Sequence, residues 1–230
     1  MQGIVFDLDE TLIDRRAAVE KFAHALWSEY FQSSLEPQPQ PRSQAQAQFL
    51  IDVIAKDQNG YLARPLFFAA MFQSYSKHVP SQKVIEDLFF DIVWTTPIVV
   101  EGVIDALLYF QNEGVPMGIV TNGSSMAQKS KILNSGLDKF IDVVVISESF
   151  GVKKPDPSIY LEAAARLKIK TTNSWFVGDN PMNDVWGSKQ VGFQSAWITR
   201  GQPWDLEIAH CFDVKGASFS EAISKILARR

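Results

Sequence analysis

The chain has a single cysteine, Cys211, among 230 residues. One thiol cannot form an internal disulfide, which points to a reducing compartment. No long run of lysine and arginine is present, and a formal net charge of −4 argues against a nucleic-acid partner. No apolar stretch reaches the length of a membrane span, so no membrane partner is expected. The three histidines, His24, His78 and His210, are scattered without ligand spacing and read as structural. A strand pattern begins almost at Met1, leaving no room for a signal peptide, and a cytoplasmic location follows as the expectation. What remains is the composition of an ordinary globular protein, 46% hydrophobic and 21% charged, long enough for one large domain or two small ones.

The chain is organised around Ile4-Val5-Phe6-Asp7-Leu8-Asp9-Glu10-Thr11-Leu12. Three apolar residues read as a strand leading into an acidic pair at alternate positions. Residues i and i+2 of a strand point to one side, so a strand ending here delivers Asp7 and Asp9 together to the carboxyl edge of a sheet. Open α/β sheets place their ligands at that edge. Two neighbouring carboxylates repel, and a hard divalent cation keeps both ionised most economically. A strand followed by an acidic turn explains the same residues, so the rest of the chain decides.

After Asp14, a plausible N-cap, the alternation becomes helical. Val19, Phe22, Ala23, Leu26, Trp27 and Tyr30 follow the spacing of an amphipathic helix. Pro37, Pro39 and Pro41 with glutamines between them mark a surface loop. Phe49, Leu50, Val53 and Ile54 mark a second helix ended by Asn59-Gly60. Leu66, Phe67, Ala70, Met71 and Tyr75 mark a third; Val84, Ile85, Leu88, Phe89 and Ile92 mark a fourth, before Thr95-Thr96-Pro97 breaks the run. No strand is expected from Asp14 to Thr96. The aromatics here, including Trp27, Phe67, Phe68, Phe72 and Tyr75, read mainly as this module's own core. Arg15 and Arg16 read as solvated arginines beside a hinge, with contact to an anionic substrate tail as the alternative.

From Pro97 strands and helices alternate. Strands are expected at 117–120, 142–146, 175–177 and 194–198, with helices between them. Asp156-Pro157 supplies an N-cap and a first-turn proline, and Ser218 with Glu221 a capping box. This alternation predicts a parallel sheet with helices on both faces, which the opening strand joins. No internal repeat is found. The strand ends are polar. Thr121-Asn122-Gly123 offers a hydroxyl, an amide and freed backbone N–H groups suited to an anion, although Asn-Gly is also an ordinary turn. Lys154 is restrained by Pro155. Asp179 and Asp184 share a tight loop after Val177, and a capping role accounts for only one of them.

The ordered set, Asp7-Leu8-Asp9-Glu10-Thr11, then Thr121-Asn122, then Lys154-Pro155, then Gly178-Asp179 to Asp184, resembles the four motifs of the haloacid dehalogenase-like superfamily. The likeness spans essentially the whole chain and is to the subgroup with a helical cap between the first two motifs. It implies a Rossmann-like three-layer core with a parallel sheet and a central first strand, residues 1–14 and 97–230, and an all-helical cap, residues 15–96. It implies a Mg2+-dependent phosphatase acting on a small phosphorylated metabolite. Asp7 is then the nucleophile and Asp9 the general acid and base. Thr121, Asn122, Gly123 and Lys154 bind phosphate. Asp7, the Asp9 backbone carbonyl and Asp179 hold the metal, with Asp184 acting through water.

Asp9 is the acid that dehalogenases and phosphonate hydrolases of the superfamily lack, which favours phosphoryl transfer. The histidine that β-phosphoglucomutase relatives carry twelve residues after the nucleophile is Val19 here. Glu10 stands where glycine or asparagine is common, as in some nucleotide-directed phosphatases. The alternatives are a phosphotransferase or phosphomutase of the superfamily, or a non-catalytic binding or regulatory relative, since fold does not fix function.

Overall fold

The computed structural model describes residues 1–31, 42–60, 62–204 and 210–229. The proline-rich loop expected at 37–41 lies outside the described residues. In chain order the strands are β1 (Gly3–Phe6), β2 (Met117–Thr121), β3 (Val143–Ile146), β4 (Ser174–Gly178), β5 (Gln194–Ile198) and β6 (Val214–Gly216). The α-helices are α1 (Arg15–Tyr30), α2 (Arg42–Asp57), α3 (Arg64–Tyr75), α4 (Gln82–Phe89), α5 (Val103–Asn112), α6 (Ser125–Ser135), α7 (Ser147–Phe150), α8 (Pro157–Leu167), α9 (Gly187–Gln190) and α10 (Phe219–Leu227). The chain divides into two compact units, Met1–Asp14 with Val99–Arg230, and Arg15–Ile98.

The first unit is a six-stranded sheet in the order β3-β2-β1-β4-β5-β6, with every pairing parallel. Parallel strands are covered on both faces, and β1 is apolar throughout for that reason. Ile4 and Phe6 pack with Val103, Leu107 and Phe110 of α5 and with Phe219 and Ile223 of α10. Val5, pointing the other way, packs with Ile159, Tyr160 and Ala163 of α8. The strand ends between the two layers therefore face one sheet edge. Pro157 begins α8 with Asp156 as its cap, accepting from the Ser158 N–H at 2.9 Å. Ser218 caps α10 as expected, but Glu221 reaches back to the Ala217 N–H at 2.7 Å rather than to that of Ser218. β6 was not expected: three residues against β5 carry too little alternation to be read as a strand.

The second unit is wholly helical among its described residues. Val19, Phe22, Leu26 and Trp27 of α1 are buried with Phe49, Val53, Phe67, Phe68, Met71, Ile85 and Phe89. Leu66, placed on the apolar face by its spacing, is instead exposed. α4 continues into a π-helical turn, Phe90–Trp94, before the chain leaves the unit. Asn59 adopts a left-handed conformation that ends the second helical run.

Arg15 is not solvated. It forms a fork with Asp57, both bonds 2.6 Å, and Arg64 adds a third at 2.8 Å. The two arginines thus tie the starts of α1 and α3 to the end of α2. Arg16 is exposed and pairs with Glu20, as a solvated arginine does. The histidines stay apart: His24 meets Gln46, His78 lies against Phe31, and His210 against Trp204 and Phe212.

Candidate active site

β1 runs directly into Asp7, whose N–H donates to the Val177 carbonyl at 2.9 Å and extends the ladder past the strand. The chain then turns, because the Leu12 and Ile13 N–H groups both donate to the Leu8 carbonyl, at 2.9 and 3.0 Å. The two-residue alternation therefore stops before Asp9. Asp7 and Asp9 take different partners.

Asp7 Oδ1 accepts from Lys154 Nζ at 2.6 Å, and the same ammonium donates to Asp184 Oδ1 at 2.6 Å. Lys154, Asp7 and Asp184 are all buried. The other Asp184 oxygen takes the Asn180 N–H at 2.9 Å. Gly178 makes room for this return, since a Cβ there would collide with the Asp184 carboxylate. Asp179 joins them, so that carboxylate oxygens of Asp7, Asp179 and Asp184 all lie within 4.8 Å of one another. The Trp197 indole N–H holds the Asp179 carbonyl at 2.8 Å.

Burial has the largest influence on Asp7 and raises its pKa. Asp184 and Asp9 add to it, Lys154 opposes it, and the carboxyl is pushed up to about 7. Asp179 is raised well above the usual range, first by burial and then by Asp184, Asp7 and Glu10. Burial alone would lower Lys154, but Asp184 and Asp7 outweigh it and the ammonium stays charged. Three crowded carboxylates thus exceed the ammonium bonded to two of them. An all-oxygen donor set with surplus negative charge fits a hard cation such as Mg2+ and no soft one.

Thr121 ends β2, is buried, and its Oγ1 accepts from Gln128 Nε2 at 2.6 Å. The side chain of Asn122 brackets the backbone of Lys154. Gly123 needs a correction. Its N–H, read as free for an anion, donates to Ser147 Oγ at 3.0 Å, because the start of α7 stands opposite. Its lack of a side chain provides space instead, since a Cβ would come within 2.9 Å of Gln128.

Asp9 has its own partners. Lys131 Nζ donates to its two oxygens at 2.7 and 2.8 Å, and Gln128 Nε2 to one of them at 3.0 Å. Neither residue was found from sequence. Ala127, Gln128, Lys131 and Ile132 form the buried side of α6, while Met126 and Leu133 are each 66% exposed. Apolar residues lie on both sides of this helix and do not choose its buried face; the one signal in the sequence is the misfit of two large apolar residues, Met126 and Leu133, left outside. Thr11 is wholly buried, and its Oγ1 has no hydrogen-bond partner among the described residues. No helix among them is long and apolar enough to cross a membrane.

Comparison with known proteins places these residues in a wider set. The chain is 27% identical over 209 residues to a glyceraldehyde 3-phosphate phosphatase of Pyrococcus furiosus, covering 90% of this chain and 84% of that protein. A solved HAD phosphatase from Thermococcus onnurineus matches with a TM-score of 0.65 at 22% identity, covering 99% of this chain and 98% of that one. A 2-haloacid dehalogenase from Pseudomonas syringae matches with a TM-score of 0.63 at 24% identity, covering 100% and 99%. The two structures share a fold with this chain and differ in chemistry from each other, so the fold alone does not choose a reaction. The family model for haloacid dehalogenase-like hydrolases matches residues 1–192, most of the chain and every strand end described above except those of β5 and β6. The chain belongs to the haloacid dehalogenase-like hydrolase family.

Proposed function

We propose that this protein is a Mg2+-dependent phosphatase that hydrolyses a small phosphorylated metabolite through an aspartyl-phosphate on Asp7. One observation carries the reading: two carboxylates two residues apart in sequence are held by separate ammonium groups, Asp7 by Lys154 and Asp9 by Lys131. A nucleophile and a proton carrier need such separate environments. The relationship to a glyceraldehyde 3-phosphate phosphatase supports phosphate-ester chemistry and makes a triose phosphate the first compound to try.

In this mechanism an Asp7 oxygen attacks phosphorus while the bond to the leaving oxygen breaks, and Asp9 gives that oxygen its proton. Asp9 then takes a proton from the water that attacks the aspartyl-phosphate, restoring both residues. The Lys154 ammonium and the Thr121 hydroxyl, with the Asn122 N–H, stabilise charge on the transferring phosphoryl oxygens. Asp7, Asp179 and the Asp9 backbone carbonyl would hold Mg2+, with Asp184 acting through water. When bound, the ion neutralises charge on the phosphoryl oxygens and keeps Asp7 ionised. Residues 15–96, within the helical unit Arg15–Ile98, are proposed as the cap that selects the substrate. Val19 is buried among the apolar residues of that unit, which supports a hydrolase over a mutase.

The test is hydrolysis of p-nitrophenyl phosphate, followed by a panel of triose phosphates, sugar phosphates, nucleotides and phosphoglycolate, each with Mg2+ and with EDTA. Metal-dependent turnover that EDTA abolishes is the expected result. A protein that binds Mg2+ yet turns over no ester would instead be a non-catalytic relative.

A further inference from the structure

Lysine and glutamine seldom occupy the buried side of a helix, and a buried ammonium is tolerated only when paired. In α6 both are buried while two large apolar residues are left outside. That inversion needs a reason, and the bonds of the two residues supply it. Lys131 grips both oxygens of Asp9. Gln128 Nε2 lies 3.0 Å from Asp9 Oδ2, 2.6 Å from Thr121 Oγ1 and 3.3 Å from the Asn122 carbonyl, and its Oε1 accepts from Lys131 at 2.8 Å. Asp9 and Thr121, 112 positions apart in sequence, are thereby joined through one amide.

We infer that Lys131 and Gln128 are positioning residues that set the Asp9 carboxylate against the phosphoryl-facing Thr121 hydroxyl. This rests on the phosphatase reading above. Lys131 fixes the plane of the ionised carboxylate by bonding both of its oxygens, and one of these bonds gives way when Asp9 carries the proton it donates. Gln128 fixes its distance from Thr121. Because Gln128 donates to Thr121 Oγ1, the threonine proton is directed away from Gln128 and can be given to a phosphoryl oxygen. With 4% and 1% of their surfaces exposed, Lys131 and Gln128 act through Asp9 and Thr121 rather than on substrate. The glycine at 123 belongs to the same arrangement, since any side chain there would press on Gln128.

A residue that only supported the fold would, when changed, slow all substrates alike. A residue that places a general acid slows most the reaction whose leaving group most needs a proton. The experiment therefore compares kcat/KM for phenyl phosphate with that for p-nitrophenyl phosphate, whose leaving group departs with little help. Lys131→Met is expected to lower the phenyl phosphate value about tenfold or more beyond its effect on p-nitrophenyl phosphate. Inhibition by inorganic phosphate should stay within about twofold, because the phosphate-binding groups remain. Lys131→Arg, which supplies a cation able to bond both carboxylate oxygens, should restore part of the ratio. Gln128→Leu should shift the ratio in the same direction with Lys131 intact, and it carries the test if Lys131→Met does not fold. Equal fractional losses on both esters in the folded variants, or no loss, would overturn the positioning role while leaving the phosphatase reading in place. A wild-type protein inactive on both esters with Mg2+ would overturn the two together.

Discussion

The side chain of Asn122 holds the backbone of Lys154 from both directions. Its amide nitrogen donates to the Lys154 carbonyl at 3.0 Å, and its oxygen accepts from the Lys154 N–H at 2.8 Å. The loop after β2 and the loop before α8 are thus locked as one piece, and Lys154 Nζ reaches Asp7 and Asp184 from that fixed base. Asn122→Ala should lower kcat by about 10- to 100-fold, as expected when a charge-stabilising group is misplaced. Folding stability should fall by only about 1–2 kcal/mol, the usual range for a lost pair of hydrogen bonds. Steady-state kinetics beside thermal unfolding separates the two effects.

Asp7→Asn should abolish turnover and leave the fold intact. The amide is a poor nucleophile, yet it still offers an oxygen to Lys154, and Asp184 still pairs with that ammonium. Residual activity of about a tenth of wild type would mean that another group attacks phosphorus, since loss of a nucleophile costs far more. The measurement is p-nitrophenyl phosphate turnover on protein with an unchanged circular dichroism spectrum.

Metal affinity should depend on Asp179 and on pH. Removing one carboxylate from the group of three by Asp179→Asn should raise the Mg2+ concentration needed for half-maximal rate, and excess Mg2+ should recover part of the rate. Without metal, Asp7 holds a proton up to about pH 7, so cation binding must displace it. Apparent Mg2+ affinity of the wild-type protein should therefore rise as pH rises through neutrality and flatten above it. Calorimetric titration at several pH values reads both effects; an unchanged metal requirement in Asp179→Asn would remove that residue from the metal.

The helical unit should depend on Asp57. Burial pushes this carboxyl up, but Arg15 and then Arg64 outweigh it and hold its pKa below the usual range. Asp57→Asn removes the carboxylate charge that both guanidinium groups share and should cost about 3–5 kcal/mol, the range for breaking a buried pair from one side. A carboxyl whose folded pKa is depressed contributes fully above its unfolded value, about 4. That contribution is lost as pH falls through the folded value. The stability gap between wild type and Asp57→Asn, measured by urea unfolding, should be widest near neutrality and narrow below about pH 4. A gap constant across that range would mean Asp57 contributes by packing alone.

By itself the sequence determined most of the architecture, because strand and helix periods and caps are local. Ile4 to Phe6 needed no partner to read as a buried strand, nor did Asp156-Pro157 to open α8. The acidic and polar residues at the ends of β1, β2 and β4 and at Lys154 were also evident, since parallel topology brings strand ends to one edge wherever the crossovers lie. What only the tertiary structure decided were pairings across long separations. β6 exists because β5 offers it an edge, and Arg15 is buried because Asp57 returns to it. The turn at Leu8 gave Asp7 and Asp9 different neighbours, a choice that period-two reasoning does not contain. Above all, α6 buries Gln128 and Lys131 beside Ala127 and Ile132 because Asp9, 122 positions upstream of Lys131, holds them there, and the helix's own apolar residues do not announce that. A local pattern records which residues are apolar. It does not record that a partly exposed carboxylate will draw a lysine inward, because that balance of desolvation and charge exists only once both are in place.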